Sequence, residues 1–72
     1  GLDKTSIEDA WHSVMGNAIS KYTTAIKLDR ETLYVQLSSS VLREELSYGK
    51  SKIINMINEE MGKQIIMKLV LR

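Results

Sequence analysis

The chain has 72 residues, 43% hydrophobic and 26% charged, with a formal net charge of +1. That is one small domain, residues 1–72, which buries only about 60% of its unfolded surface and has no room for a large internal pocket. The absence of cysteine excludes disulfide staples, thiolate metal sites and a cysteine nucleophile, and the short apolar runs predict neither a membrane span nor a signal peptide.

Gly1 stands where a methionine would open a natural chain, as expected of a piece of a slightly longer protein. The first element opens on a candidate capping box, with Thr5 as cap and Glu8 reaching back to it. Apolar residues then recur at Ile7, Ala10, Trp11, Val14, Met15, Ala18 and Ile19. Those offsets form one helical stripe and predict a helix over residues 6–19, weakened after Met15 by Gly16 and Asn17. The period next changes to two. Tyr22, Thr24, Ile26 and Leu28 alternate with Thr23, Ala25 and Lys27, and Leu33, Val35 and Leu37 alternate with Tyr34 and Gln36. Two such runs joined by the polar Asp29-Arg30-Glu31-Thr32 read as an antiparallel hairpin.

Ser39 or Ser40 can cap the following helix, whose apolar stripe runs through Leu42, Leu46, Ile53, Ile57 and Met61. Gly49 interrupts that stripe, and because glycine costs a helix interior roughly 1 kcal/mol relative to alanine, two helices meeting near Tyr48-Gly49 are expected. Gly62 reads as a C-terminal cap, and Ile65–Leu71 as a last strand. A strand that returns through helices to the same sheet lies parallel to its neighbour. The expected fold is therefore α+β, in the order α-β-β-α(-α)-β, with a three-stranded mixed sheet covered by helices on one face. Alternation turns Ile26, Leu28, Leu33, Val35, Leu37, Ile65, Met67, Leu69 and Leu71 inward, against Trp11, Val14, Leu46, Ile53 and Ile57. The other face carries Thr23, Ala25, Lys27, Tyr34, Gln36, Ile66, Lys68 and Val70, with nothing left in the sequence to cover it.

Charge is segregated by element. The strand segments, residues 21–37 and 63–72, hold six basic against two acidic side chains, a net +4, and the remainder holds four against seven, a net −3. A phosphate backbone is attracted to the first set. Lysines flanking hydrophobic strands also guard edges against pairing, which is the structural alternative. Tyr34 points to the open face with Lys27 and Lys68 expected nearby, an aromatic-plus-cation arrangement that can stack a base and neutralise phosphates. Strand propensity alone also favours tyrosine there.

Catalytic and metal constellations are lacking. His12 is the single histidine, with only Asp9 one turn away. The pairs Glu44-Glu45 and Glu59-Glu60 are adjacent, so on a helix their carboxylates diverge by about 100°. Ser38-Ser39-Ser40 lies in no nucleophile-elbow or phosphate-loop pattern and suits a helix cap. No enzyme and no cofactor are expected.

The segments Trp11-His12-Ser13-Val14-Met15-Gly16, Leu33-Tyr34-Val35-Gln36-Leu37-Ser38-Ser39-Ser40, Leu42-Arg43-Glu44-Glu45-Leu46 and Ile57-Asn58-Glu59-Glu60-Met61-Gly62 follow one another in order. This set resembles the DciA-type family, long known only as a domain of unknown function. The shared pattern is a tryptophan shortly before a glycine, a hairpin ending in a serine pair, a Glu-Leu helix, and an asparagine with glycine four residues on, before a last strand. The resemblance implies a KH-like domain of a bacterial, cytoplasmic protein that binds single- or double-stranded DNA and assists the replicative helicase at initiation of DNA replication. Many relatives carry an aromatic after the serine pair, where this chain has Val41-Leu42. Nucleic-acid-binding KH domains use a Gly-x-x-Gly loop between two helices. Here that place reads Ser47-Tyr48-Gly49-Lys50, with Lys50 and Lys52 available to phosphates. The expected nucleic-acid-binding residues are Lys27, Tyr34, Lys68, Arg30, Arg43, Lys50 and Lys52. Two alternatives stand beside this reading: a protein-interaction domain without nucleic-acid binding, and an RNA-binding KH-like module.

Overall fold

The computed structural model describes residues 6–72. Its elements are α1 (Ile7–Met15), α2 (Asn17–Ser20), β1 (Thr23–Asp29), β2 (Thr32–Leu37), α3 (Ser40–Ser47), α4 (Lys50–Met61) and β3 (Lys68–Leu71). The order and the three-stranded mixed sheet are those expected. β1 and β2 form the antiparallel hairpin, and β3 lies parallel to β2 on its other side. A parallel neighbour needs a long crossover, which α3 and α4 supply. No helix among the described residues is long and apolar enough to cross a membrane.

The core lies between the helices and one face of the sheet. Trp11, Leu33, Val35, Ile57 and Ile66 are fully buried there. Each such side chain contributes roughly 1.5–3 kcal/mol by leaving water. The indole is also satisfied: Trp11 Nε1 donates to Thr23 Oγ1 at 3.0 Å, and the same hydroxyl donates to the Ile19 carbonyl at 3.2 Å.

Helix boundaries follow local chemistry. The expected cap Thr5 lies outside the described residues; the cap of α1 is Ser6, whose hydroxyl accepts from Asp9 N–H at 3.1 Å. The first helix does not run to Ile19. It stops at Met15 because Gly16 adopts φ +83°, and the short α2 turns the chain into β1. The break near Gly49 is present: α3 ends at Ser47 and α4 begins at Lys50. Ser39 caps α3 by accepting from Leu42 N–H at 3.2 Å. Gly62, at φ +82°, ends α4 in the left-handed region as its position suggested.

Four face assignments change, those of Thr23, Leu28, Ile66 and Met67. Thr23 does not stand on the open face. The register shifts between Thr23 and Ala25, leaving Thr24 as an extra residue and turning Thr23 toward Trp11. The last strand is shorter than expected, and Ile66 rather than Met67 fills the core, with Met67 52% exposed. Asn58 accounts for this. Its Oδ1 accepts from Ile65 N–H at 2.8 Å and Ile66 N–H at 2.9 Å, and its Nδ2 donates to the Ile66 carbonyl at 3.0 Å. The segment is held by a helix side chain instead of a strand ladder. Met67 and Lys68 then both donate to the Glu31 carbonyl. Inward positions therefore fall at Ile66 and Leu69, three residues apart, which strict alternation forbids. Leu28, expected inward, is 37% exposed at the hairpin end of β1.

Candidate nucleic-acid interface

The face of the sheet turned away from the helices is an ordered array. Its first row is Asp29, Thr32 and Lys68, paired across the three strands. The second is Lys27, Tyr34 and Val70. The third begins with Ala25 and Gln36 and ends at Arg72, whose N–H donates to the Val35 carbonyl and whose carbonyl accepts from Leu37 N–H, so that the residue sits beside Gln36. Tyr34 occupies the centre. Lys27 is its direct cross-strand partner and Lys68 lies on the diagonal, within reach of long side chains. The Arg72 guanidinium carbon stands 4.6 Å from the centroid of the Tyr34 ring.

Two depressions share this surface. One, of about 310 Å³, is lined by Ala25, Lys27, Asp29, Tyr34, Gln36 and Arg72. The other, of about 440 Å³, lies toward the hairpin turn and is lined by Asp29, Arg30, Glu31, Thr32, Tyr34, Met67 and Lys68. Tyr34 and Asp29 form the wall between them. Three cations, Lys27, Lys68 and Arg72, thus surround one half-buried aromatic ring, with two acids beside them, Asp29 in the first row and Glu31 at the hairpin turn. The acids Glu8, Asp9, Glu44, Glu45, Glu59 and Glu60 are exposed on α1, α3 and α4 instead.

The seven residues expected from sequence do not form one cluster. Lys27, Tyr34, Lys68 and Arg30 share the open face and its hairpin end. Arg43 and Lys50 line a different depression, of about 410 Å³, formed by α3, the start of α4 and Leu71. Lys52 is exposed on α4 and lines neither. Arg72 is the residue that sequence reasoning leaves out of the site. The signal is present in the alternation Lys68, Val70, Arg72, carried one residue past the end of β3. His12 lines a separate depression with Glu8 and the start of β1, and its Nδ1 stands 2.8 Å from Ser20 Oγ.

These features define a class: a small α+β domain with one sheet face packed under helices and the other, uncovered among the described residues, cationic and centred on an aromatic ring. The chain belongs to the DciA family, described as Dna[CI] antecedent, DciA, which matches residues 1–71. That family is non-catalytic and helicase-loader-like, and membership gives the chain a replication-related, helicase-associated role. No curated protein and no solved structure matches the chain significantly.

Proposed function

We propose that this chain is a non-catalytic module that binds DNA through the open face of its sheet and assists the replicative helicase at initiation, in the bacterial cytoplasm. One observation supports the DNA half above others: Lys27, Lys68 and Arg72 stand around Tyr34 on a face that no helix of the described residues covers. Cations placed this way attract phosphates and release counterions, and an aromatic ring among them offers a surface for a base. Arg30 extends the cationic strip at the hairpin end, whereas Arg43 and Lys50 line a second, helical depression that can meet phosphates or a protein partner, and Lys52 stands apart on α4. The helicase half rests on family membership.

The test is a salt titration of binding to short single- and double-stranded DNA, with RNA of the same sequence alongside. Affinity for DNA falls by at least tenfold between about 50 and 200 mM salt if several phosphates are contacted. The double charge reversal Lys27→Glu, Lys68→Glu abolishes binding. Absence of binding to either DNA at low salt removes the DNA half and leaves a protein-docking domain. Preferential binding to RNA moves the assignment to an RNA-binding module. Amide-shift mapping with a purified bacterial replicative helicase tests the second half, and no perturbed amide at saturating helicase refutes it.

A further inference from the structure

In the free protein the Tyr34 ring is already occupied. At 4.6 Å from the centroid, the Arg72 guanidinium is in cation–π contact with the ring, and no third layer fits between the two groups. The contact is set by the sheet. Arg72 N–H donates to the Val35 carbonyl at 2.9 Å and its carbonyl accepts from Leu37 N–H at 2.8 Å, which fixes its backbone beside Gln36, two residues from Tyr34. A second cation above a ring among the described residues, Lys21 over Tyr22 at 5.5 Å, joins sequence neighbours ahead of β1 and is not set by strand pairing.

We propose that Arg72 is a latch on a subsite for one unpaired nucleotide of DNA. An unpaired base displaces the guanidinium from Tyr34 and stacks in its place. The released guanidinium then takes the phosphate beside that base. The inference rests on the DNA-binding reading of this face and names the form of DNA that its centre accepts.

Three observations carry it. Tyr34 is the one aromatic within the three strands, so the centre of the face stacks a single base. A duplex keeps its base faces stacked on one another and presents phosphates to a flat sheet, so it meets the cations but not the ring. The exchange is favourable in direction, because base–aromatic stacking is stronger than a solvent-exposed cation–π contact. The guanidinium is also the cation suited to both positions, since its plane matches an aromatic face and its paired donors match phosphate oxygens. Lys27, directly across from Tyr34, holds the backbone on the far side of the base.

The experiment compares a labelled oligo-dT with a duplex of equal length at low salt. The proteins are the wild type and the variants Tyr34→Leu, Arg72→Gln and Arg72→Lys, each shown by its thermal melt to be folded. Tyr34→Leu weakens oligo-dT binding roughly tenfold and duplex binding less than about twofold, since a duplex is held through its phosphates by the cations and does not meet the ring. Arg72→Gln weakens both and lowers the salt slope by about one phosphate. Arg72→Lys retains the slope. The Arg72 side-chain proton signals, shifted by the Tyr34 ring current in the free protein, move to unstacked positions as oligo-dT is added. Equal losses on both DNAs for Tyr34→Leu overturn the latch while leaving DNA binding intact, as do ring-shifted Arg72 signals that persist at saturation. Failure of the wild type to bind either DNA overturns the DNA-binding reading and the latch with it.

Discussion

Asn58 and Ile66 are joined in both directions: Asn58 Oδ1 accepts from Ile66 N–H at 2.9 Å, and Asn58 Nδ2 donates to the Ile66 carbonyl at 3.0 Å. With the further bond from Ile65 N–H, a side chain of α4 satisfies three backbone groups of the segment leading into β3. This sets which residue enters the core and therefore the phase of the strand that follows. Ile66 and Leu69 go in; Lys68, Val70 and Arg72 come out. The cationic half of the open face is thus registered from the helical side of the molecule.

Asn58→Ala leaves those backbone groups to compete for water in a half-buried site. With net losses of about 1 kcal/mol per bond and more for any group left unpaired, a destabilisation of about 2–4 kcal/mol is expected by urea unfolding. Hydrogen exchange at Ile65 and Ile66 accelerates beyond the global change. Asn58→Asp keeps the acceptor but loses the donor to the Ile66 carbonyl, so protection at Ile65 and Ile66 is largely retained. Equal loss of protection in the two variants contradicts this account.

The indole of Trp11 is a second tie between helix and sheet. Thr23→Val keeps the shape but removes the acceptor for a buried N–H, which costs about 1–3 kcal/mol. Trp11→Phe removes donor and volume together. The two changes share one interaction, so the double variant is less destabilised than the sum of the singles, by about 0.5–3 kcal/mol. Strict additivity in the double-mutant cycle shows that the 3.0 Å contact has no energetic weight.

Much of this arrangement is legible in the sequence because it rests on local rules. The alternation in Leu33-Tyr34-Val35-Gln36-Leu37 gives β2 and places Tyr34 on the open face. Gly49 and Gly62 mark where α3 gives way to α4 and where α4 ends. What escapes is set by partners distant in sequence. Alternation assigns Met67 inward because it has no knowledge of Asn58, whose side chain replaces the ladder at residues 65 and 66. It assigns Thr23 outward because the extra residue Thr24 shows itself only against Gln36 and Leu37. Arg72 joins the site only once β3 is known to lie beside β2, which places the last residue over a ring 38 positions earlier.

The glycines separate by conformation. Gly62 has φ +82°, so Gly62→Ala strains the end of α4 and is expected to cost about 1–2 kcal/mol although its Cβ meets open space. Gly49 has φ −124° and also meets open space, so it is not needed for its backbone angles. It starts α4 without a side-chain cap, and Gly49→Ser supplies a hydroxyl for the free N–H groups of the first turn. A gain of a few tenths of a kcal/mol is expected, read as a higher midpoint in urea. A loss at Gly49→Ser equal to that at Gly62→Ala removes the distinction.

Arg30 places stability and binding in opposition. It turns the hairpin at φ +59°, a left-handed conformation that costs an L-residue roughly 1–2 kcal/mol. Arg30→Gly relieves that strain, and the greater freedom of glycine in the unfolded chain returns about 0.5–1 kcal/mol of it. A net gain of up to about 1 kcal/mol is expected, seen as a rise of several degrees in the melting temperature of so small a domain. The same change removes a cation from the hairpin end of the open face, beside Lys68. Under the proposed function, DNA affinity at low salt falls severalfold and the salt slope declines by about one phosphate. Arg30→Lys separates the two effects, because lysine keeps both the charge and the unfavourable backbone angle. It melts like the wild type and binds like it. If Arg30→Gly is stabilised but binds DNA with an unchanged salt slope, the contact surface ends short of the turn and is confined to the array around Tyr34.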